Sequence, residues 1–188
     1  GLSAVDEFMR AGGFDQRGRP DFLGCNDTLP LNARGDIVTF QTPPLPEDVE
    51  VTGPIEMHLW AASSAADTDF TAKLIDVYPP GDTYPEGLAI NITDSIIRAR
   101  YRNGWDSPEL MTPGEAYELV FQLYPTSNVF RKGHRVRLDI SSSNWPRFDA
   151  NPNTGGPLGR DRAYQIATQT IHHGPDRASH IVLPLQGP

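Results

Sequence analysis

Seventeen glycines and eighteen prolines punctuate 188 residues, leaving little room for long helices. Proline in a helix interior removes a hydrogen bond and costs about 3 kcal/mol, and glycine costs about 1 kcal/mol relative to alanine. Between these breakers Val, Ile, Thr, Phe and Tyr recur in short runs, the residue types that suit a pleated, half-buried surface. An all-β domain is the consequence.

Periodicity agrees, because apolar residues alternate with polar ones at period two. Ile55, Met57, Leu59 and Ala61 alternate with Glu56, His58 and Trp60; Phe70, Ala72 and Leu74 with Thr71 and Lys73. Tyr117, Leu119, Phe121 and Leu123 alternate with Glu118, Val120 and Gln122, and Val136, Leu138 and Ile140 with Arg135, Arg137 and Asp139. Each set puts one face on a core. Shorter candidate strands are 36–41, 49–52, 88–92, 96–101, 167–172 and 180–185, the last two flanking Gly174, Pro175, Asp176 and Arg177 as a closing hairpin. This many short strands and turns predict a two-sheet jelly-roll sandwich, a single domain over 1–188 with a mostly irregular lead-in at 1–35. One helical turn or two is expected near 3–9, where Ser3 can cap and Asp6 and Glu7 face the positive end. Long irregular stretches are expected at 10–34, 102–114 and 141–162.

Charge and cysteine content narrow the function. Sixteen basic residues against twenty-four acidic ones give a net charge of −8, which repels a phosphate backbone, and the only basic stretch is Arg131, Lys132, His134, Arg135 and Arg137. No nucleic-acid partner is expected. Cys25 is the single cysteine, so no internal disulfide or thiolate metal cage can form. No apolar run approaches the roughly 20 residues of a membrane span, and no membrane association is expected. The chain begins at Gly1 without a basic-then-apolar leader, so a processed chain or a piece of a longer one is expected; the N-terminus does not set the compartment, which stays unknown with the cytoplasm slightly favoured.

A search for catalytic chemistry ends without an active site. The chain has no G-x-S-x-G; Gly1-Leu2-Ser3-Ala4-Val5 lacks the second glycine and a preceding strand. His58, His134, His172, His173 and His180 include no H-E-x-x-H or comparable zinc spacing. No metal, cofactor or catalytic residue is therefore expected. Adjacent His172 and His173 point to opposite faces of a strand, which prevents joint chelation. Trp60, Trp105 and Trp145 could make a sugar-stacking platform, although three tryptophans are also ordinary core and edge content. Asn91-Ile92-Thr93 is a formal glycosylation sequon inside a candidate strand.

The most distinctive segment is 141–156, Ser-Ser-Ser-Asn-Trp-Pro-Arg-Phe-Asp-Ala-Asn-Pro-Asn-Thr-Gly-Gly, dense in side chains that bond local backbone. It reads as an ordered structural or docking loop carried by Asn144, Trp145, Arg147, Phe148 and Asp149. Arg147 and Asp149 either pair with each other or pin turns elsewhere, and both are expected to have fixed partners.

This loop, preceded by Thr126-Ser127-Asn128-Val129-Phe130-Arg131-Lys132-Gly133-His134-Arg135, closely resembles the C-terminal domain of the X-prolyl dipeptidyl-peptidase and cocaine-esterase family of serine hydrolases, also called CocE/NonD. Asp67-Thr68-Asp69-Phe70-Thr71-Ala72-Lys73-Leu74 with Asp76-Val77, Ile97-Arg98-Ala99-Arg100-Tyr101-Arg102, and Gly174-Pro175 with Ser179-His180-Ile181-Val182-Leu183-Pro184 follow the same family in order. The resemblance implies a galactose-binding-like jelly roll joined to an α/β-hydrolase domain that carries the Ser-Asp-His triad and a helical cap. It implies a non-catalytic accessory domain, whose partner is the catalytic domain of the same polypeptide. Self-association through the docking face is expected when the domain is alone. The opening segment 1–14, with Leu2 and Phe8, is implied to border the acyl pocket. The rival reading is a stand-alone carbohydrate-binding module on the same fold.

Overall fold

The structure, a computed structural model, describes residues 16, 33–145 and 147–187. Eight strands follow one another among them: β1 Ile37–Gln41, β2 Val49–Ser63, β3 Asp69–Tyr78, β4 Leu88–Arg98, β5 Ala116–Phe130, β6 Arg135–Ser141, β7 Gln169–His172 and β8 His180–Val182. One sheet has the order β1-β6-β3-β4 and the other β5-β2-β7, with β8 also on β2. Every described pairing is antiparallel. All connections except β3–β4 and β7–β8 cross between the sheets, which makes a jelly-roll sandwich. The candidate helix at 3–9 and most of 10–34 lie outside the described residues, and no described helix is long and apolar enough to cross a membrane.

The alternation places the core. Ile55, Met57, Leu59 and Ala61 from β2 meet Phe70, Ala72 and Leu74 from β3, Leu119 and Leu123 from β5, and Leu138 and Ile140 from β6 in one buried cluster. Three features differ from the sequence reading. Candidates 49–52 and 55–61 form one strand, because a bulge between Gly53 (φ +135°) and Ile55 accommodates Pro54, which has no N–H for the ladder. Candidates 88–92 and 96–101 likewise fuse into β4, which ends in a 3-10 turn at Ala99–Tyr101. The expected closing hairpin is corrected: β7 and β8 do not pair with each other. Both lie antiparallel to β2, β7 opposite Trp60 to Ser63 and β8 opposite Glu56 to His58, as one edge interrupted by a loop.

Candidate functional site

Polar residues of the first sheet's outer face assemble into a row across four strands. Thr39 is in register with Asp139, Asp139 with Lys73, and Lys73 with Asp94. Thr39 Oγ1 donates to Asp139 Oδ1 at 2.9 Å, and Arg137 forks onto both Asp139 oxygens at 2.9 and 2.6 Å. Burial holds the Lys73 ammonium below its ordinary value despite the carboxylates on either side. Its Nζ donates to Oε1 of the buried Gln16 at 3.3 Å.

Loop 141–156 is pinned on this row and again at the sheet's end. Asn144 Nδ2 donates to Asp94 Oδ2 at 2.9 Å, and Arg147 Nε to Asp94 Oδ1 at 2.8 Å. Arg147 thus pins an adjacent strand rather than pairing with Asp149. Both charges are expected to have fixed partners; Asp149 is exposed and has none among the described residues. Farther along, Asn151 Nδ2 donates to Asp67 Oδ2 at 3.0 Å and to Asp69 Oδ1 at 2.7 Å. Its Oδ1 accepts from Asn153 N at 2.9 Å, closing a turn in which Asn153 takes φ +64°, a conformation asparagine tolerates.

Asn151 lands on a buried ion network. Asp69 is in register with Arg98, which forks onto it at 2.8 and 2.9 Å, a bidentate pairing that raises the guanidinium further. Arg100 Nε donates to Asp67 Oδ2 at 2.8 Å, while its two terminal nitrogens share Gly156 O at 3.0 Å each. Both carboxylates are at most 2% exposed. No local motif singles out these four residues. The detectable signal was two acids two apart, Asp67 and Asp69, and two arginines two apart, Arg98 and Arg100.

Above this network lies a cavity of about 420 Å³. Arg98, Arg100 and Asn151 line it together with Trp145, Asp149, Leu158, Asp161 and Tyr164. Asn144 and Asn151 of the loop are spent inward while its Trp145 faces out at 72% exposure, and in the segment that follows Tyr164 is 73% and Ile166 97% exposed. Phe148 is half-buried, its ring beside the Arg147 guanidinium at 5.4 Å. The described lining holds two carboxylates, Asp149 and Asp161, the Thr154 hydroxyl and the Tyr164 ring, and no His, Cys, Ser or Lys.

Other candidate residues lie elsewhere. His58 stacks on His180 at 4.5 Å and bonds Glu56 and Glu118, while His134 Nδ1 meets buried Asp76 at 2.9 Å. His172 ends β7, and His173, beyond it, packs edge-on against Phe40. Among the described residues no group of His, Cys, Asp and Glu is arranged for a metal. Of the three tryptophans only Trp145 lines the cavity; Trp105 stacks on Tyr101 and Trp60 lies beneath Arg177. In the sequon, Thr93 is buried and its hydroxyl donates to Tyr124 O at 2.7 Å. Leu2, Ser3, Phe8 and Cys25 lie outside the described residues.

Residues 7–182 match the model of the X-Pro dipeptidyl-peptidase C-terminal non-catalytic domain. The chain is 44% identical over 164 residues to the cocaine esterase of Rhodococcus sp. (strain MB1 Bresler), an alignment covering 86% of this chain and 28% of that protein. Among solved structures, an α-amino acid ester hydrolase superposes with a TM-score of 0.79 at 34% identity, covering 83% of this chain and 26% of that one. An aminopeptidase from a marine sediment Thaumarchaeota archaeon superposes with a TM-score of 0.79 at 26% identity, covering 92% and 31%. The chain therefore spans less than a third of each of these larger enzymes. With the described strands forming a sandwich and a family match running almost end to end, the chain belongs to the X-Pro dipeptidyl-peptidase C-terminal non-catalytic domain family, carried by X-Pro dipeptidyl-peptidase-like and cocaine-esterase-like hydrolases.

Proposed function

We propose that this chain is the accessory domain of a serine hydrolase acting on esters, amides or X-Pro peptides, and that loop 141–156 docks it on the α/β-hydrolase catalytic domain of the same polypeptide. The carrying observation is the loop's inverted arrangement. Asn144, Arg147 and Asn151 are tied to strand carboxylates, whereas Trp145 projects outward on a cavity rim that it shares with Leu158 and Tyr164. Contiguous exposed apolar surface on a rigid support is the mark of an interaction face. In the same reading Leu2 and Phe8 of the opening segment border the acyl pocket.

The test is amide exchange on the full-length hydrolase. Backbone amides of 142–168 are expected to be protected by the neighbouring domain, and Trp145→Asp to release them. Exchange at the rate of a solvated loop in the unmodified enzyme refutes the docking role.

A further inference from the structure

The cavity beside the loop has a charge imbalance that selects an occupant. Its two guanidiniums are committed internally, Arg98 to Asp69 and Arg100 to Asp67 and Gly156 O. Asp149 and Asp161 also line the cavity, and neither has an ion-pair partner among the described residues. Four carboxylates thus stand against two guanidiniums. Asp161 is held in place: Thr154 Oγ1 donates to it, Ala163 N approaches at 3.4 Å, and a Cβ on Gly156 would sit 2.5 Å from its Oδ2. The nearest loop cation, Arg147, is already on Asp94, and Arg160 and Arg162 do not line the space. Trp145 and Tyr164, both on the lining, leave their rings largely exposed.

Aromatic faces beside uncompensated carboxylates suit a guanidinium, which stacks flat on rings and forks onto carboxylates, and which sheds water more readily than an ammonium. The geometry points to one occupant: an arginine side chain on the surface of the catalytic domain, seated against Trp145 and Tyr164 with its guanidinium on Asp149 and Asp161. The inference rests on the docking reading above. It is supported by the two uncompensated carboxylates beside the exposed rings and by the roughly two-thirds or more of each matched enzyme that lies outside this chain.

The experiment uses the full-length hydrolase and arginine-selective labelling with phenylglyoxal, read by peptide mass spectrometry alongside amide exchange of 142–168. Asp149→Arg with Asp161→Asn reverses the charge without disturbing the fold, since Asp149 has no partner among the described residues and Asn keeps an acceptor for Thr154. One catalytic-domain arginine should be protected in the parent enzyme, and should label about tenfold faster or more in this variant and in Trp145→Ala. If 142–168 is protected but no catalytic-domain arginine changes reactivity, docking stands and the arginine inference falls. If 142–168 exchanges as a solvated loop, both fall. Saturable glycan binding to the full-length enzyme, lost in Trp145→Ala, makes the cavity a sugar site and overturns the inference.

Discussion

At the scale of single residues, burial ranks the charges around the loop. Removing one partner of a buried pair commonly costs about 3–5 kcal/mol because the other charge is left uncompensated, whereas an exposed pair contributes roughly 0–1. Asp67 is fully buried and Arg100 nearly so, while the Arg147 side chain is 37% exposed above a buried Asp94 that keeps Asn144 as a donor. Arg100→Ala is therefore expected to cost about 3–5 kcal/mol, and Arg147→Ala about 1–2 kcal/mol. At roughly 2–4 °C per kcal/mol for a chain of this size, calorimetry should separate the two. Equal losses would show that exposure does not set the scale here. Gly87 makes a different demand. It has φ +71°, and a Cβ there would lie 2.7 Å from Tyr78 O, so Gly87→Ala should destabilise the β3–β4 connection by about 1–3 kcal/mol.

Among the elements, β8 is the most weakly held of the paired strands, with three residues on β2. His58 reinforces it by stacking on His180, within reach of Glu56 on β2 and Glu118 on β5, with Val120 directly across. The bond to Glu56 is the main cause that raises His58 above its ordinary value of 6.5, with Glu118 adding to it. A raised histidine stabilises the fold while protonated, so its contribution is complete below pH 6.5 and disappears as the pH climbs through the raised native value. Amide exchange at 180–182 should accelerate over that window beyond the intrinsic base-catalysed rise. Glu56→Gln should flatten the extra dependence, and an unchanged profile in that variant would remove His58 as its source.

For the whole molecule, the proposed function divides the labour between this sandwich and a catalytic domain elsewhere in the polypeptide. The isolated chain, once circular dichroism shows a β-sheet spectrum, is expected to turn over neither p-nitrophenyl esters nor X-Pro anilides, because nucleophilic catalysis needs a nucleophile beside a base. Turnover abolished by Ser3→Ala or Cys25→Ala would overturn this. Freed of its neighbour, the exposed rim of Trp145, Leu158 and Tyr164 should promote self-association, visible as concentration-dependent light scattering that Trp145→Asp reduces.

The period-two alternation of residues 55–61, 70–74, 117–123 and 136–140 determined by itself which side chains of those stretches face the core, because successive residues of a strand must point to opposite faces. Glycine and proline placement likewise determined that strands and turns, rather than helices, would carry the chain. Which polar residues meet was decided only by the tertiary structure. Asp94, Lys73 and Asp139 share a row because β4, β3 and β6 are neighbours in one register, and strand order does not follow from local pattern. Arg147 reaching Asp94 instead of Asp149, and β7 and β8 both joining β2 instead of each other, have the same origin. Local spacing limits what a residue can reach, but long-range pairing selects among its partners, and the cavity beneath Trp145 exists only where the loop crosses Asp67, Asp69, Arg98 and Arg100.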